Sequence, residues 1–326
     1  MSGFHFQRLA IPCAPVPTTS GAGALRRTCL LVRSPRHRAW SVAVHSDAVR
    51  ALSDPDEDFS SHYRNGGDPD RDCPRLYSWH RALWGRFVPG IADFQLDVIH
   101  GRGFEMSLRA GDGSKFRLAS DGIVPTWSSP GWTRSFRTDL VAEVAKDTDD
   151  FYRVASTVGG YILFPRNRMG QTGRTINQAR GVDPRIADRF DLTLECIRRH
   201  YLDPLAENPL GERLAYYADF FSLFGDFDGY ARFFLLDDLL TSDRSAVRSL
   251  MSGEPLSAFV APAFAVSPTE YGEYRQRSIA FVKARNGRIL QLGVSPEQSA
   301  DAMHGCSVCA AAIAPTAHSR GSPQRR

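Results

Sequence analysis

The chain has 326 residues, a formal net charge of +4 and 42% apolar residues, enough length and apolar content for one substantial core. So modest a charge gives no argument for nucleic acid by itself, and the absence of an apolar run of about 18 residues excludes a membrane-spanning helix. Six cysteines scattered at 13, 29, 73, 196, 306 and 309 do not form the framework of a small secreted domain, so a reducing, cytoplasmic setting is expected.

Residues 1–53 read as a disordered leader or an upstream extension, because the first 50 carry seven arginines, no lysine and a single acid, Asp47. Residues 54–73 are acidic and rich in Gly and Pro, and read as a linker or surface loop. A single globular domain is expected over 74–296. It opens with a helix carrying Leu76, Trp79, His80, Leu83 and Trp84 at helical spacing. Three alternating runs follow, ending in Val98, Leu108 and Leu118 and separated by glycine-rich breaks, which predicts an antiparallel meander. Thr138-Asp139 can cap a helix running to about Ala155, and Tyr161–Phe164 is a short buried strand.

Asp183-Pro184 carries a capping side chain followed by proline at the first helical position, so a long helix is expected from Asp183 to Tyr201. Ile186, Phe190, Leu194, Ile197 and Tyr201 form its apolar face, and Glu195 can pair with Arg199. Further helices are predicted over Leu210–Gly225, over the apolar run Tyr230–Leu240, and from the Ser267-Pro268-Thr269-Glu270 capping box to Asn286-Gly287. Residues 297–326, rich in Ala, Ser, Gly, Pro and Arg, read as a disordered tail. The fold class is thus α+β and mainly helical: a small antiparallel β-meander followed by a bundle of about five helices.

The runs YILFPRNRM, TINQARGVDPRIADRFDLTLECIRRHY and NPLGERLAYYADFFSLFGDFDGYARFFLLDDLL, with YSWHRALWGRF upstream and FVKARNGRI downstream, resemble an uncharacterised family of bacterial proteins of unknown function. The resemblance covers roughly residues 54 to 290. It implies no activity and no catalytic residues.

Chemistry is sought first in the segment before the long helix. No acid lies between Asp150 and Asp183, yet Arg153, Arg166, Arg168, Arg174 and Arg180 do, among Gly170, Gly173 and Gly181. Guanidinium groups bind phosphate bidentately, and glycines let backbone N–H groups approach an anion. Arg166, Arg168, Arg174, Asn177 and Arg180 are therefore the candidate ligand-binding residues, with a nucleotide or RNA as partner. The plainer alternative is a solvated basic loop that balances Asp188, Asp191 and Glu195. Because Lys115, Lys146 and Lys283 are the only lysines, arginine abundance alone is weak support. GQTGRT is too short for a phosphate loop and has arginine where its lysine should stand.

His80 and His200 are the candidate catalytic residues. Arg75 and His80 have the spacing that some helical ribonucleases present on one face, and His200 shares a face with Arg189, Thr193 and Cys196. The plainer alternatives are a histidine packed beside Trp79 and Trp84, and a last turn whose positive charge suits the helix dipole. His304, Cys306 and Cys309 are at most half of a zinc site, and Asp226, Asp228, Asp237 and Asp238 read as caps or as acids needing partners, so no metal is assigned. No G-x-S-x-G, H-E-x-x-H or Rossmann fingerprint occurs, and the cofactor is left open. The first functional reading is a nucleotide- or RNA-binding protein, nuclease-like or nucleotide-acting; the alternative is a non-enzymatic protein–protein interaction module, with a protein partner or a second copy of the chain.

Overall fold

The computed structural model describes residues 54–60, 68–85, 91–98, 104–110, 115–124, 148–166 and 173–294. The expected leader, the tail, the helix start at Thr138, Arg168 and the His304, Cys306, Cys309 group lie outside the described residues. The architecture is α+β and mainly helical.

The described parts of the acidic stretch, residues 54–60 and 68–73, are built into the domain. The Phe59 N–H donates to the Ser156 carbonyl (3.0 Å), and the Phe59 side chain is buried. Asp68 caps a single helical turn, α1 (Pro69–Asp72), by accepting from the Asp70 N–H. Proline at the first position of that turn and again at the start of α2 (Pro74–Trp84) wastes no hydrogen bond, because neither N–H would have had a helical partner. Leu76, Trp79, His80, Leu83 and Trp84 of α2 are all buried, as their spacing predicts.

The meander forms as expected from β1 (Ile91–Val98), β2 (Phe104–Ala110) and β3 (Lys115–Gly122), and gains a fourth strand. After α3 (Thr148–Ala155) and a 3-10 turn at Val158–Gly160, β4 (Tyr161–Pro165) pairs antiparallel with β3, so the sheet order is β1-β2-β3-β4. All five residues of β4 are buried.

Thr175 and Gln178 form a capping box that starts α4 (Ile176–Val182). The helix predicted from Asp183 is shorter than its pattern. Asp183 ends α4, its carboxylate accepts from the Arg185 N–H (2.8 Å), and Ala187 and Asp188 have φ of 47° and 61°, so α5 runs only over Phe190–Leu202. The Asp-Pro pair therefore serves a turn. Glu195 does pair with Arg199, and also with Arg198, at 2.8 Å each.

The predicted Leu210–Gly225 helix is split into α6 (Gly211–Tyr216) and α7 (Ala218–Ser222), because the Tyr217 N–H tightens onto Leu214 and the chain restarts there. The buried stripe Leu214, Tyr217, Phe220, Phe221 and Phe224 survives the break. Similarly α8 (Phe227–Phe233) ends before Leu235, whose φ is 57°, and a 3-10 turn, Asp237–Leu239, follows. That turn directs Asp237 and Asp238 outward, where Arg244 and Arg288 neutralise them. Asp226 caps α8 and Asp228 pairs with Arg232 and Arg244, so these four acids are taken up by caps and ion pairs.

The Ser267 cap starts α9 (Pro268–Gln291), which continues through Gly287. No described helix is long and apolar enough to cross a membrane. α9 holds the domain together through polar groups on its buried face. Asn286 accepts from the Gly159 N–H (2.7 Å) and donates to Thr157 Oγ1 (2.8 Å) and Asp56 Oδ1 (2.6 Å). A Cβ on Gly159 would lie 2.7 Å from the Val282 carbonyl, so glycine is what allows this approach. Asn286→Ala strands the buried Gly159 N–H, while the Thr157 hydroxyl keeps its bond to the Val154 carbonyl, and is expected to lower the unfolding free energy by about 1–3 kcal/mol in urea denaturation. A variant as stable as the parent would remove Asn286 from this role.

Candidate functional site

Ser120 and Asp121 are successive residues of β3, so their side chains leave opposite faces of the sheet. Ser120 meets α2, and Asp121 meets α4. On the α2 side a hydrogen-bond chain ends in a carboxylate. The Trp84 indole N–H donates to His80 Nδ1 (3.1 Å), which leaves the ring proton on Nε2. His80 Nε2 donates to Ser120 Oγ (3.0 Å), and the Ser120 hydroxyl donates to Asp70 Oδ1 (2.7 Å). Asp70 is in place because α1 presents it and the Tyr77 hydroxyl donates to its backbone carbonyl (2.6 Å).

On the α4 side the centre is Arg180, whose side chain has no exposed surface. It pairs with Asp121 and donates to the Asp188 carbonyl (2.7 Å), Thr193 Oγ1 (3.2 Å) and the Gly122 carbonyl (3.3 Å), over the Phe164 ring. The left-handed turn at Ala187 and Asp188 aims that carbonyl, and the Asp188 N–H donates back to the Arg180 carbonyl (2.9 Å). Asn177, one turn before Arg180, places its amide N–H₂ 3.5 Å from the Ser120 carbonyl, while its Oδ1 is buried without a partner.

Burial pushes the Asp70 carboxyl well above its usual range, and the charges of Asp121 and Asp68 add to the effect. Burial raises Asp121 to about 7 against the pull of Arg180. The guanidinium of Arg180 resists its own burial because Asp188 and Asp121 hold it charged. His80 and Arg180 are thus enclosed on the two sides of β3, while Asp70 and Asp121 are each partly exposed.

Two of the predicted site residues need correction. His80 has no exposed surface, both ring nitrogens are engaged, and burial with the nearby Arg285 charge pushes it down to about 3, so it stays neutral and holds Ser120. Arg75, its supposed companion, pairs with Glu57 (2.8 Å). Arg180 points inward and is neutralised, so it does not meet a ligand in solution. His200 lies about two turns beyond Thr193 on α5 and packs edge-on against Phe221 (5.7 Å), with its pKa lowered by burial. Arg166 and Arg174 are exposed and make no ion pair among the described residues.

A family model matches residues 53–289 and so takes in α1 as well as β3, α4 and α5. The chain belongs to DUF6994, a family of unknown function. No curated protein and no solved structure matches it. The DUF6994 match begins where the structured acidic stretch begins, consistent with Asp70 being an integral part of the domain.

The sequence reading named His80, Asn177 and Arg180, and Asp188 as an acid that the arginines balance, but missed Asp70, Ser120 and Asp121. A signal existed for the first two. Asp68-Pro69 repeats the cap-plus-proline pattern that marks a helical start, and Ser120 stands where the alternation of Phe116 and Leu118 calls for an apolar residue.

Two outcomes are expected. Arg180→Leu leaves Asp121 and the Asp188 carbonyl without their partner and should cost about 3–5 kcal/mol in urea unfolding. The second concerns pH. Between the ordinary carboxylate pKa of roughly 4 and its raised folded value, Asp70 holds more proton in the folded than in the unfolded chain, so its contribution to stability falls as pH rises. His80 acts in the opposite sense, its contribution being lost as pH falls from roughly 6.5 towards its lowered value. The two are separated by comparison with Asp70→Asn, whose melting temperature should gain on the parent as pH rises above roughly 4. Parallel pH profiles would show that Asp70 does not titrate in this window.

Proposed function

We propose that this chain binds a phosphate-bearing ligand, a nucleotide or RNA, through the segment between β4 and α4, and acts on it at the adjoining Asp70 and Asp121 carboxyls. The observation that carries the reading is the continuity of α4: Arg174 stands just before the Thr175 cap, and Asn177, two residues past that cap, reaches the Ser120 carbonyl. Arg166 and Arg174 are exposed and make no ion pair among the described residues, whereas Arg185, Arg198, Arg199, Arg232, Arg244, Arg277 and Arg288 each face a carboxylate. Lys115 and Arg117 of β3 are also exposed, Arg117 pairing with Glu105 (2.7 Å), and the Arg166 N–H donates to the Arg117 carbonyl (2.9 Å). A guanidinium without a counter-ion suits a phosphate. In this reading a carboxyl at the β3 end exchanges the proton, since burial raises Asp70 and Asp121 and lowers His80.

A second reading, a protein-interaction module, draws on a different surface. Arg199 at the end of α5 donates to the Ser257 carbonyl (2.8 Å) and lies over the Phe259 ring, beside the exposed Leu202, Leu205 and Val260. A partner protein or a second copy would cover this apolar surface.

Binding of nucleotides, RNA and inorganic phosphate, followed by melting temperature at two salt concentrations, tests the first reading. Parent protein should show a salt-sensitive rise that Arg166→Gln with Arg174→Gln abolishes; Asp70→Asn should still bind and lose turnover. Binding that survives the double substitution would sink the reading, and self-association without binding would favour the second.

A further inference from the structure

The hydrogen bonds behind Asp70 have their direction fixed from one end. An indole N–H can only donate, so the 3.1 Å contact makes His80 Nδ1 the acceptor and leaves the ring proton on Nε2. That proton goes to Ser120 Oγ (3.0 Å), and the single proton of the hydroxyl then goes to Asp70 Oδ1 (2.7 Å). Trp84, His80 and Ser120 are all buried, so the direction is set inside the protein and not by solvent.

This direction constrains the carboxyl at the end of the chain. A proton on Asp70 Oδ1 would point at the Ser120 proton, and turning the hydroxyl round would set it against the Nε2 proton of His80. Uptake of a proton is therefore left to Oδ2. Oδ1 stays an acceptor in both states, and accepting favours the charged carboxylate, so the Ser120 bond pulls against the burial that raises Asp70. A hydroxyl that is itself accepting a hydrogen bond is polarised and donates more strongly, so His80 adds to that pull from one bond further back.

We propose that His80 is a positioning residue for Asp70: acting through Ser120 and held in one tautomer by Trp84, it keeps Oδ1 an acceptor, confines the exchangeable proton to Oδ2, and makes the carboxyl give up that proton more readily than burial alone would allow. Its importance for turnover rests on the proposed role of Asp70, whereas the placement of the proton does not. Asp70 also faces Asp68 beside its own turn, Asp121 on β3 and Arg180 on α4, and on α2 the Tyr77 hydroxyl holds its backbone carbonyl. A substitution at residue 80 changes none of these groups, so they are a constant background.

The test is NMR on the full chain, following the side-chain carboxyl carbon of Asp70 and the ring nitrogens of His80 through a pH titration. In the parent the ring proton should stay on Nε2 throughout; a proton found on Nδ1 would overturn the proposal. His80→Leu removes the donor to Ser120 and should raise the Asp70 midpoint by about 0.5–1 pH unit, the size of one hydrogen bond. His80→Gln sets an amide N–H₂ in place of the Nε2 proton and should return the midpoint towards that of the parent. A midpoint unmoved in His80→Leu, or raised equally in both variants, would refute the relay, the second outcome because burial alone would then explain the rise. Should His80→Leu fail to fold, Ser120→Ala takes its place: it should raise the midpoint at least as much, and an unchanged midpoint refutes the relay. These midpoints can come out as expected while no phosphate-bearing ligand binds, and a ligand can bind while they do not, so the two readings fail separately.

Discussion

A guanidinium with no exposed surface must be ringed by acceptors, and Arg180 imposes that requirement on three pieces of chain at once. Asp121 at the end of β3, the Asp188 carbonyl before α5 and Thr193 within α5 all turn towards it. The two left-handed residues at 187 and 188 follow from this demand: a helix continued back from Phe190 to Asp183 would have pointed the Asp188 carbonyl along its own axis. Instead the chain breaks, the carbonyl reaches the guanidinium, and Ile186 still enters the core. The conformational cost of the turn is offset by the charge it helps to neutralise.

The C-terminal helix repeats the device with different chemistry. Arg285 gathers the carbonyls of Gly159, Tyr161 and Phe234, and Asn286 gathers Asp56, Thr157 and Gly159. Adjacent residues of one helix thereby join the start of the domain, the entry to β4 and the end of α8. The sheet and the helices share one apolar core, and these polar side chains cross between them.

What could be read from sequence was whatever depends on local periodicity. The α2 face, the three-stranded meander, the Glu195–Arg199 pair and the Ser267 cap follow from spacing within a few residues, and the structure has them. What escaped depends on partners far apart in the chain. Asp70 gave an acidic-loop signal because nothing near it announces Ser120, fifty residues on. Arg180 looked like a ligand arginine because its carboxylate lies on another strand, and His80 looked catalytic because its burial by Trp84 and Ser120 is a tertiary fact. Asn177 was found by composition, but what sets it apart, a buried Oδ1 without a partner, belongs to the fold.

The sign of desolvation then decides which of these residues can handle a proton. Removing water disfavours whichever form is charged, so it lowers a base and raises an acid in the same surroundings. At the end of β3 both groups are present and share one serine. His80 is driven down to about 3 and stays neutral at neutral pH, while Asp121 is driven up to about 7 and Asp70 well above its usual range. The same burial thus moves the histidine and the aspartates in opposite directions. His80 keeps a role through geometry, since its fixed Nε2 proton orients the Ser120 hydroxyl, and that hydroxyl can then only donate to Asp70.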